Sequence, residues 1–439
     1  MVNNIKMNIL VLHKMGDPKT WLSSVRDLEF CFSDNAPEHN YIVHNDMFPL
    51  PAYIQNIKFH GIILGPTFLC NRYISQDYEA ALKKYEFIKN SNAFKIALPQ
   101  DDYDCSAILE KWLIEWKIDI VYTVCPNNWE VLYPKLYNTG KLRLGYTAYI
   151  SEKIIERSKK IKPLSERTID VSYRSTKHNL GYVRYVKGIV GQLFCKYAQE
   201  YALKLDISVN DVFSPGKSKI ISGDSWLDYI ENSKFVLCSN SGSSILDPYG
   251  DYAKRLRDYF LLNPNAAYED IEEACFPGEG NKWKFTPISP RNIEAALLET
   301  IQICVPGEYS GIMIPWEHYI PFEIDGSNFK QVIDTMKNEK KVNEIAAACK
   351  EKFLSINELR YSFHVAEIIN TIYEGYKAKA VTCTFDENEK NLFTKYEREL
   401  FLSTLINYRI RNCLGKFLLI FPNLHSFLKK VKRTINSFA

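Results

Sequence analysis

The stretch Gly61-Ile-Ile-Leu-Gly65 is a short, unbroken apolar run between two glycines, which is typical of a β-strand that is buried on both faces. Similar short apolar runs occur on either side of it, at 7–13, 41–43, 95–99 and 118–122. The segments between them are predicted to be helical, at 20–32, 75–90 and 105–117. This alternation predicts a parallel sheet with helices on both faces.

The same pattern restarts after a highly charged segment at 151–166. Strands are predicted at 168–173, 235–238 and 301–305, with helices at 183–203, 251–261, 290–300, 328–339, 341–354 and 356–377. We therefore predict an α/β chain with two Rossmann-like domains, 1–160 and 161–380, followed by a helical basic tail at 381–439. In such folds the ligand lies in the cleft beyond the carboxyl ends of the strands.

Composition excludes several classes of protein. Of the 439 residues, 46% are hydrophobic and 24% are charged, which excludes wholesale disorder. The 11 cysteines form no CxxC pair, which argues against a zinc ribbon or a disulfide scaffold and favours a reducing compartment. No signal peptide and no apolar run of about 20 residues is apparent, so we expect a cytoplasmic protein.

The net charge of +3 conceals an uneven distribution. Residues 395–439 hold nine Lys and Arg against two acids, a net charge of +7. Apolar residues recur there at helical spacing, with basic residues on the other side, at Leu424, Phe427, Leu428, Val431, Ile435, Lys429, Lys430, Lys432 and Arg433. This pattern favours a helix in an anionic membrane interface, which would make the protein peripheral on the inner face of the cell membrane. The alternative is a helix that packs back onto the domains.

Two motifs suggest phosphate and ribose binding. The turn Cys238-Ser-Asn-Ser-Gly-Ser-Ser244 follows a predicted strand, and its small residues Ser241, Gly242, Ser243 and Ser244 would let backbone N–H groups approach a phosphate. The alternative is a mobile surface turn. Downstream, Ser289 and Pro290 form a helix start, which places Arg291 and Glu294 in the first turn. Glu294 would accept the hydroxyls of a ribose, unless it only compensates the helix dipole.

Three further clusters contain candidate residues. Arg174 and Lys177 follow the first strand of the second half and would neutralise a diphosphate, or else be solvated charges. Glu308, Tyr309, Ser310 and His318 lie in loops suited to a sugar, although a buried structural histidine is the plainer interpretation of His318. In Pro99-Gln-Asp-Asp-Tyr103, either Asp101 or Asp102 would serve as a general base for a hydroxyl, or form an ordinary turn.

Together these segments resemble a family of bacterial GT-B glycosyltransferases of surface polysaccharide assembly, of the capsule or lipopolysaccharide type. The resemblance spans roughly 7–335 and is carried by Ile169-Asp-Val-Ser-Tyr-Arg174, Gly223-Asp-Ser-Trp226, 239–247, Ile288-Ser-Pro-Arg291, Gly307-Glu-Tyr-Ser-Gly311 and His318-Tyr-Ile-Pro321. It implies two Rossmann-like domains that face each other across a cleft, the first binding an acceptor and the second a nucleotide-sugar.

The resemblance also implies residue roles. Related retaining enzymes carry two glutamates with seven residues between them; Glu294 matches the second, whereas the first falls at Thr286, and Glu308 would take over part of its work. Arg174, Lys177, Arg291 and the amides near 241–244 would stabilise the diphosphate, so no metal or other cofactor is expected. Glu308 and His318 would contact the transferred sugar.

The partners expected on this basis are a nucleotide-sugar donor, a glycan or lipid-linked acceptor and an anionic membrane. Nucleic acid is not expected, because neither a recognition helix nor a stacking sheet is apparent. Two other functions stay open. One is an inert GT-B-like module that binds a glycan or a partner enzyme, since Thr286 replaces a glutamate. The other is a sugar-nucleotide epimerase, against which the basic tail argues.

Overall fold

The N-terminal domain is built on a parallel sheet. In the computed structural model, which describes residues 6–16, 21–211, 221, 223–379 and 391–400, this sheet has six strands in the order β2-β1-β3-β4-β5-β6. They are β1 (Asn8–His13), β2 (Asn40–Asn45), β3 (Gly61–Leu64), β4 (Phe94–Ala97), β5 (Ile120–Thr123) and β6 (Leu142–Leu144). Every residue of β1 and β3 is buried, because helices cover both faces of the sheet.

The C-terminal domain has a second parallel sheet, with the order β11-β10-β9-β7-β8 among the described residues. Its strands are β7 (Ile169–Lys177), β8 (Leu205–Asp211), β9 (Ser233–Cys238), β10 (Ile301–Cys304) and β11 (Ile320–Pro321). Ile303 of β10 pairs with Leu237 of β9, and both are fully buried. The prediction of two Rossmann-like α/β domains, a GT-B-like architecture, is confirmed.

The helices connect successive strands and cover the two sheets. In the part of the chain that the structure describes they are α1 (Ser23–Asn35), α2 (Pro66–Leu69), α3 (Ser75–Lys84), α4 (Glu86–Asn90), α5 (Ser106–Glu115), α6 (Trp129–Leu132), α7 (Glu152–Arg157), α8 (Tyr182–Tyr197), α9 (Asp224–Glu231), α10 (Asp251–Leu262), α11 (Tyr268–Cys275), α12 (Pro290–Leu297), α13 (Phe329–Met336), α14 (Glu339–Ser355) and α15 (Tyr361–Ala378).

The last of these helices corrects the domain boundaries. We expected 161–380 to form the C-terminal domain, yet α15 packs against the N-terminal sheet. Val365, Ile368 and Ile372 join Ile9 and Ile63 in one apolar core. Because α15 buries its apolar face against the N-terminal sheet, the chain returns to the N-terminal domain after the C-terminal one. The N-terminal domain therefore consists of two separate segments of the sequence. The expected boundary near residue 160 does fall between the two sheets.

Both sheets lie within one compact unit, formed by residues 1–50 and 59–381. Of the described residues, 51–58 and 391–400 belong to a second unit, in which the Tyr53 hydroxyl donates a 2.8 Å hydrogen bond to Glu399. Residues 391–400 are helical, whereas most of the expected basic tail, 401–439, lies outside the described residues. None of the described helices is both long and apolar enough to cross a membrane.

Candidate active site

A pocket of about 410 Å³ lies between the two domains, at the carboxyl ends of their strands. The N-terminal domain contributes the first turn of α1. The C-terminal domain contributes the carboxyl ends of β7, β8 and β9, the loop after β9 and parts of α8, α9 and α12. Its lining residues are Leu22, Ser23, Ser24, Arg174, Ser175, Thr176, Lys187, Asn210, Ile221, Trp226, Cys238, Ser239, Ser241, Ser289, Pro290, Arg291 and Glu294. The ligand cleft expected for this fold is therefore present.

In the part of the chain that the structure describes, three cationic side chains line this pocket. Arg174 pairs with Asp206 at 2.6 Å, which leaves part of its guanidinium exposed. Arg291 donates to the backbone carbonyl of Arg174, and among the described residues its Nε has no hydrogen-bond partner although it is buried. The third is Lys187, whose pKa is lowered to about 8 by burial and by the field of Arg291, against the opposing field of Asp101. Such a group of cations suits a polyanion.

Lys187 was not among the residues that the sequence predicted. It lies in the second turn of α8, and it is the residue of that helix that lines the pocket in the part of the chain described. The signal that would have found it is the position of a lysine early in the helix that follows a strand of the second domain. Lys177, which we did expect, does not line the pocket. Its side chain packs against Gly188 of α8.

Glu294 and Trp226 form the only acid–indole pair among the pocket residues. The indole N–H of Trp226 donates a 2.7 Å hydrogen bond to Oε2 of Glu294. Burial raises the pKa of Glu294, while this hydrogen bond and the nearby Arg291 oppose the rise. The predicted helix start holds, because α12 begins at Pro290 after Ser289, whose backbone N–H donates to Asn292 at 3.1 Å.

The Ser/Gly turn contributes less than expected. Ser241 lines the pocket, and Gly242 adopts the left-handed φ of +89° that glycine favours. The expectation that Ser243 and Ser244 bind a phosphate is corrected, because both are fully buried and form hydrogen bonds within the protein. The Ser243 hydroxyl donates to the carbonyl of Ile245, and that of Ser244 to the carbonyl of Gly280.

The sugar-binding role expected of the loop residues is also corrected in part. Tyr309 is buried in the core, where its hydroxyl donates to the carbonyl of Val305. Ser310 accepts a hydrogen bond from the backbone of Ile288. His318 is buried, accepts from the backbone of Ile314 and has its pKa lowered by burial, which fits the plainer interpretation. Glu308 remains exposed and accepts a 3.0 Å hydrogen bond from Asn127 of the N-terminal domain.

The adjacent residues Asp101 and Asp102 differ sharply in their exposure to solvent. Asp102 is fully buried and accepts a 2.7 Å hydrogen bond from Tyr133, and burial raises its pKa to about 6. It cannot reach a substrate, which corrects that expectation. Asp101 is exposed, accepts a hydrogen bond from the Tyr103 hydroxyl and has a left-handed φ of +52°. Non-glycine residues in that region are uncommon and cluster at functional sites.

Among the described residues no group of three or more His, Cys, Asp and Glu side chains is arranged to hold a metal ion. The expectation that the protein uses no metal or other cofactor stays a prediction.

No protein-family model and no curated protein matches this sequence. Solved structures with a similar fold include an α-glucosyltransferase in complex with UDP and a 13-mer DNA, at 11% identity and a TM-score of 0.48, over 84% of this chain and 100% of that one. Anabaena HepE in complex with UDP-glucose is 11% identical, with a TM-score of 0.42, over 83% and 100%. TarM is 10% identical, with a TM-score of 0.39, over 72% and 54%.

The α-glucosyltransferase structures overturn one expectation. We expected no nucleic-acid partner because the sequence shows no recognition helix or stacking sheet, yet three structures of that neighbour hold UDP together with DNA. The lack of those two motifs is therefore no ground for excluding nucleic acid, and the exclusion was wrong.

Proposed function

We propose that this protein is a glycosyltransferase that moves a sugar from a nucleotide-sugar to a hydroxyl acceptor. The observation that carries this proposal is the cleft pocket between two Rossmann-like domains, where the described residues bring together three cations and a single carboxylate. A pocket of this charge suits a nucleoside diphosphate, whose phosphates need cations and whose ribose offers hydroxyl donors.

The cations would act mainly on the leaving group. When the bond between the anomeric carbon and the phosphate oxygen breaks, the electron pair stays on the diphosphate. Arg174, Lys187 and Arg291 would stabilise this growing negative charge from fixed positions. Fixed cations of this kind need no metal, so we keep the proposal that the reaction is independent of metal ions.

Glu294 would hold the nucleoside. Its carboxylate lines the pocket, and the indole N–H of Trp226 fixes its orientation. A carboxylate held in this way can accept hydrogen bonds from the ribose hydroxyls. Glu308, which is exposed on the neighbouring loop, would bind hydroxyls of the transferred sugar.

Asp101 would be the general base. Its carboxylate is exposed, and its field reaches Lys187 in the pocket, where it opposes the lowering of the lysine pKa. In the step we propose, the acceptor oxygen bonds to the anomeric carbon while its proton passes to Asp101. The bond to the diphosphate breaks at the same carbon, so charge and atoms balance.

The cellular role we propose is bacterial surface polysaccharide synthesis of the capsule or lipopolysaccharide type, with a lipid-linked or oligosaccharide acceptor. The +7 charge of 395–439 supports a peripheral position on the cytoplasmic face of the membrane. Co-sedimentation with vesicles of anionic phospholipid, compared between the full chain and a 1–394 truncation, tests this position. Equal binding by the two would contradict it.

The second candidate is an inert module that binds a glycan or a partner enzyme. It is favoured by Thr286, a buried threonine at the position where the resemblance expects a glutamate. A hydrolysis screen over common nucleotide-sugars separates the two functions. Release of nucleoside diphosphate from one donor, and its loss in Glu294→Gln, supports the transferase. Binding without release from any donor supports the module.

A further inference from the structure

We propose that Arg184 is a positioning residue of the C-terminal domain that holds the Asp101 carboxylate of the N-terminal domain in place. This inference rests on the proposed transferase function. It adds a role for a residue that does not line the pocket and that would act only through Asp104 and Tyr103.

The contacts form a continuous chain from one domain to the other. The guanidinium of Arg184, in the first turn of α8, pairs with the Asp104 carboxylate at 2.5 Å. The same guanidinium lies 5.2 Å from the centre of the Tyr103 ring. The Tyr103 hydroxyl in turn donates to Oδ1 of Asp101. Arg184 therefore contacts both Tyr103 and Asp104, the second and third residues after the candidate base.

The backbone of this loop is held by the C-terminal domain as well. Asp247 donates from its backbone N–H to the carbonyl of Tyr103 at 2.9 Å, and its own carbonyl accepts from Cys105 at 2.7 Å. The Tyr103 ring stacks on Phe285 with 5.7 Å between the ring centres. These contacts leave the loop little freedom relative to the donor domain.

The N-terminal domain fixes the other side of the same loop. The guanidinium of Arg72 is buried and donates to the carbonyls of Gln100, Asp101 and Asp104, at 2.8, 2.9 and 3.0 Å. Together the two arginines over-determine the loop, which explains how Asp101 is kept at its left-handed φ of +52°.

Helix α8 connects this loop to the donor site. Lys187, which lines the pocket, lies three residues after Arg184 and so on the same side of the helix. One rigid element thus carries a cation for the diphosphate and a cation for the base loop. Burial alone would lower the pKa of Arg184, but the fields of Asp104, Tyr103 and Asp101 outweigh it and raise the pKa.

The test uses Tyr103→Phe and Arg184→Met in the full-length protein, with Lys196→Met as the control, an exposed lysine on the same helix. The readouts are steady-state nucleoside diphosphate release from the nucleotide-sugar that turns over in the screen, and the calorimetric affinity for the same nucleotide-sugar. Both loop variants should lose about tenfold or more in kcat, since a displaced base is costly, while the affinity changes less than about twofold. Arg184→Lys, which keeps the charge, should recover part of the loss.

A positioning role also predicts that Tyr103 acts only through Asp101. Adding Tyr103→Phe to Asp101→Asn should therefore lower kcat by less than about twofold. The residual release of nucleoside diphosphate by Asp101→Asn is followed at high enzyme concentration. An equal loss in both backgrounds would show a merely structural role and overturn the proposal. Unchanged kcat in Tyr103→Phe and Arg184→Met would overturn it as well. If the wild-type protein bound no nucleotide-sugar at all, that result would instead refute the proposed function itself.

Discussion

The indole N–H of Trp226 lies 2.7 Å from Oε2 of Glu294, and the two side chains line the cleft pocket together. The pair joins two elements of the C-terminal domain, because Trp226 belongs to α9 and Glu294 to α12. A buried carboxylate with one fixed donor is oriented before any ligand arrives, which lowers the entropic cost of binding.

We predict that Trp226→Phe weakens nucleoside diphosphate binding about tenfold, because the carboxylate of Glu294 loses a hydrogen bond that stabilises its charged form. The phenyl ring keeps most of the apolar surface. Isothermal titration calorimetry measures the effect, and Trp283→Phe, which lies outside the pocket, is the control. Equal affinities for the wild type and Trp226→Phe would mean that the pair plays no part in binding.

Lys187 should make donor binding depend on pH. Its pKa is lowered to about 8, so the ammonium is present below that pH and is lost as the pH rises through it. Affinity for the donor should therefore fall between about pH 7 and pH 9. Lys187→Arg, which stays charged, should flatten the profile, and Lys187→Met should weaken binding already at pH 7. The same fall in all three proteins would exclude Lys187 as its source.

Glu29 should make stability depend on pH. Its carboxylate is buried, and burial raises its pKa from 4.5 to about 7, against hydrogen bonds from Thr67. The folded protein thus holds the proton more tightly, so the stabilisation is complete below about pH 4.5 and is lost as the pH rises to about 7. Glu29→Gln should remove this dependence and stabilise the protein by up to about 3 kcal/mol at pH 8. Urea unfolding across this pH range measures it, and a dependence that persists in Glu29→Gln would assign it to another group.

Gly242 should tolerate no side chain. A Cβ there would lie 1.9 Å from the carbonyl oxygen of Phe285, in addition to the strain of its φ of +89°. Gly140 is a matched control, since its φ is +72° but no atom lies within 4 Å of the added carbon. We expect Gly140→Ala to cost about 1 kcal/mol of unfolding free energy and Gly242→Ala at least about twice that. Equal urea midpoints for the two variants would contradict the steric argument.

The sequence predicted the fold well where the signal is local. The strands of the interior are continuous apolar runs such as Gly61-Ile-Ile-Leu, and Ser289 with Pro290 marks the start of α12. The edge strand β2 coincides with the run predicted at 41–43, but the edge strands β6, β8 and β11 were missed. β8 alternates apolar and polar residues, and among the described residues it lies at the edge of its sheet, so it lacks the apolar run of an interior strand. The return of α15 to the N-terminal sheet is a long-range packing event that no local pattern encodes.

The candidate site was predicted in part for the same reason. Arg174 lies near the carboxyl end of β7, Arg291 and Glu294 lie near the start of α12, and all three line the pocket. Tyr309 and Asp102 stand in equally suggestive loops but point into the core, and only the tertiary structure decides this direction. The pairing of Arg184 with Asp104 joins residues 80 positions apart, so no local sequence pattern predicts it.

The central claim is that the cleft pocket binds the donor, and the affinity of Arg291→Met for nucleotide-sugars tests it most directly. Arg291 has a buried Nε without a partner among the described residues, and it lines the pocket together with Arg174 and Lys187. By calorimetry, we predict that the wild type and the control Lys196→Met bind the same nucleotide-sugar, and that Arg291→Met binds it at least about tenfold more weakly. Equal affinity in all three proteins would place the donor elsewhere and contradict the account.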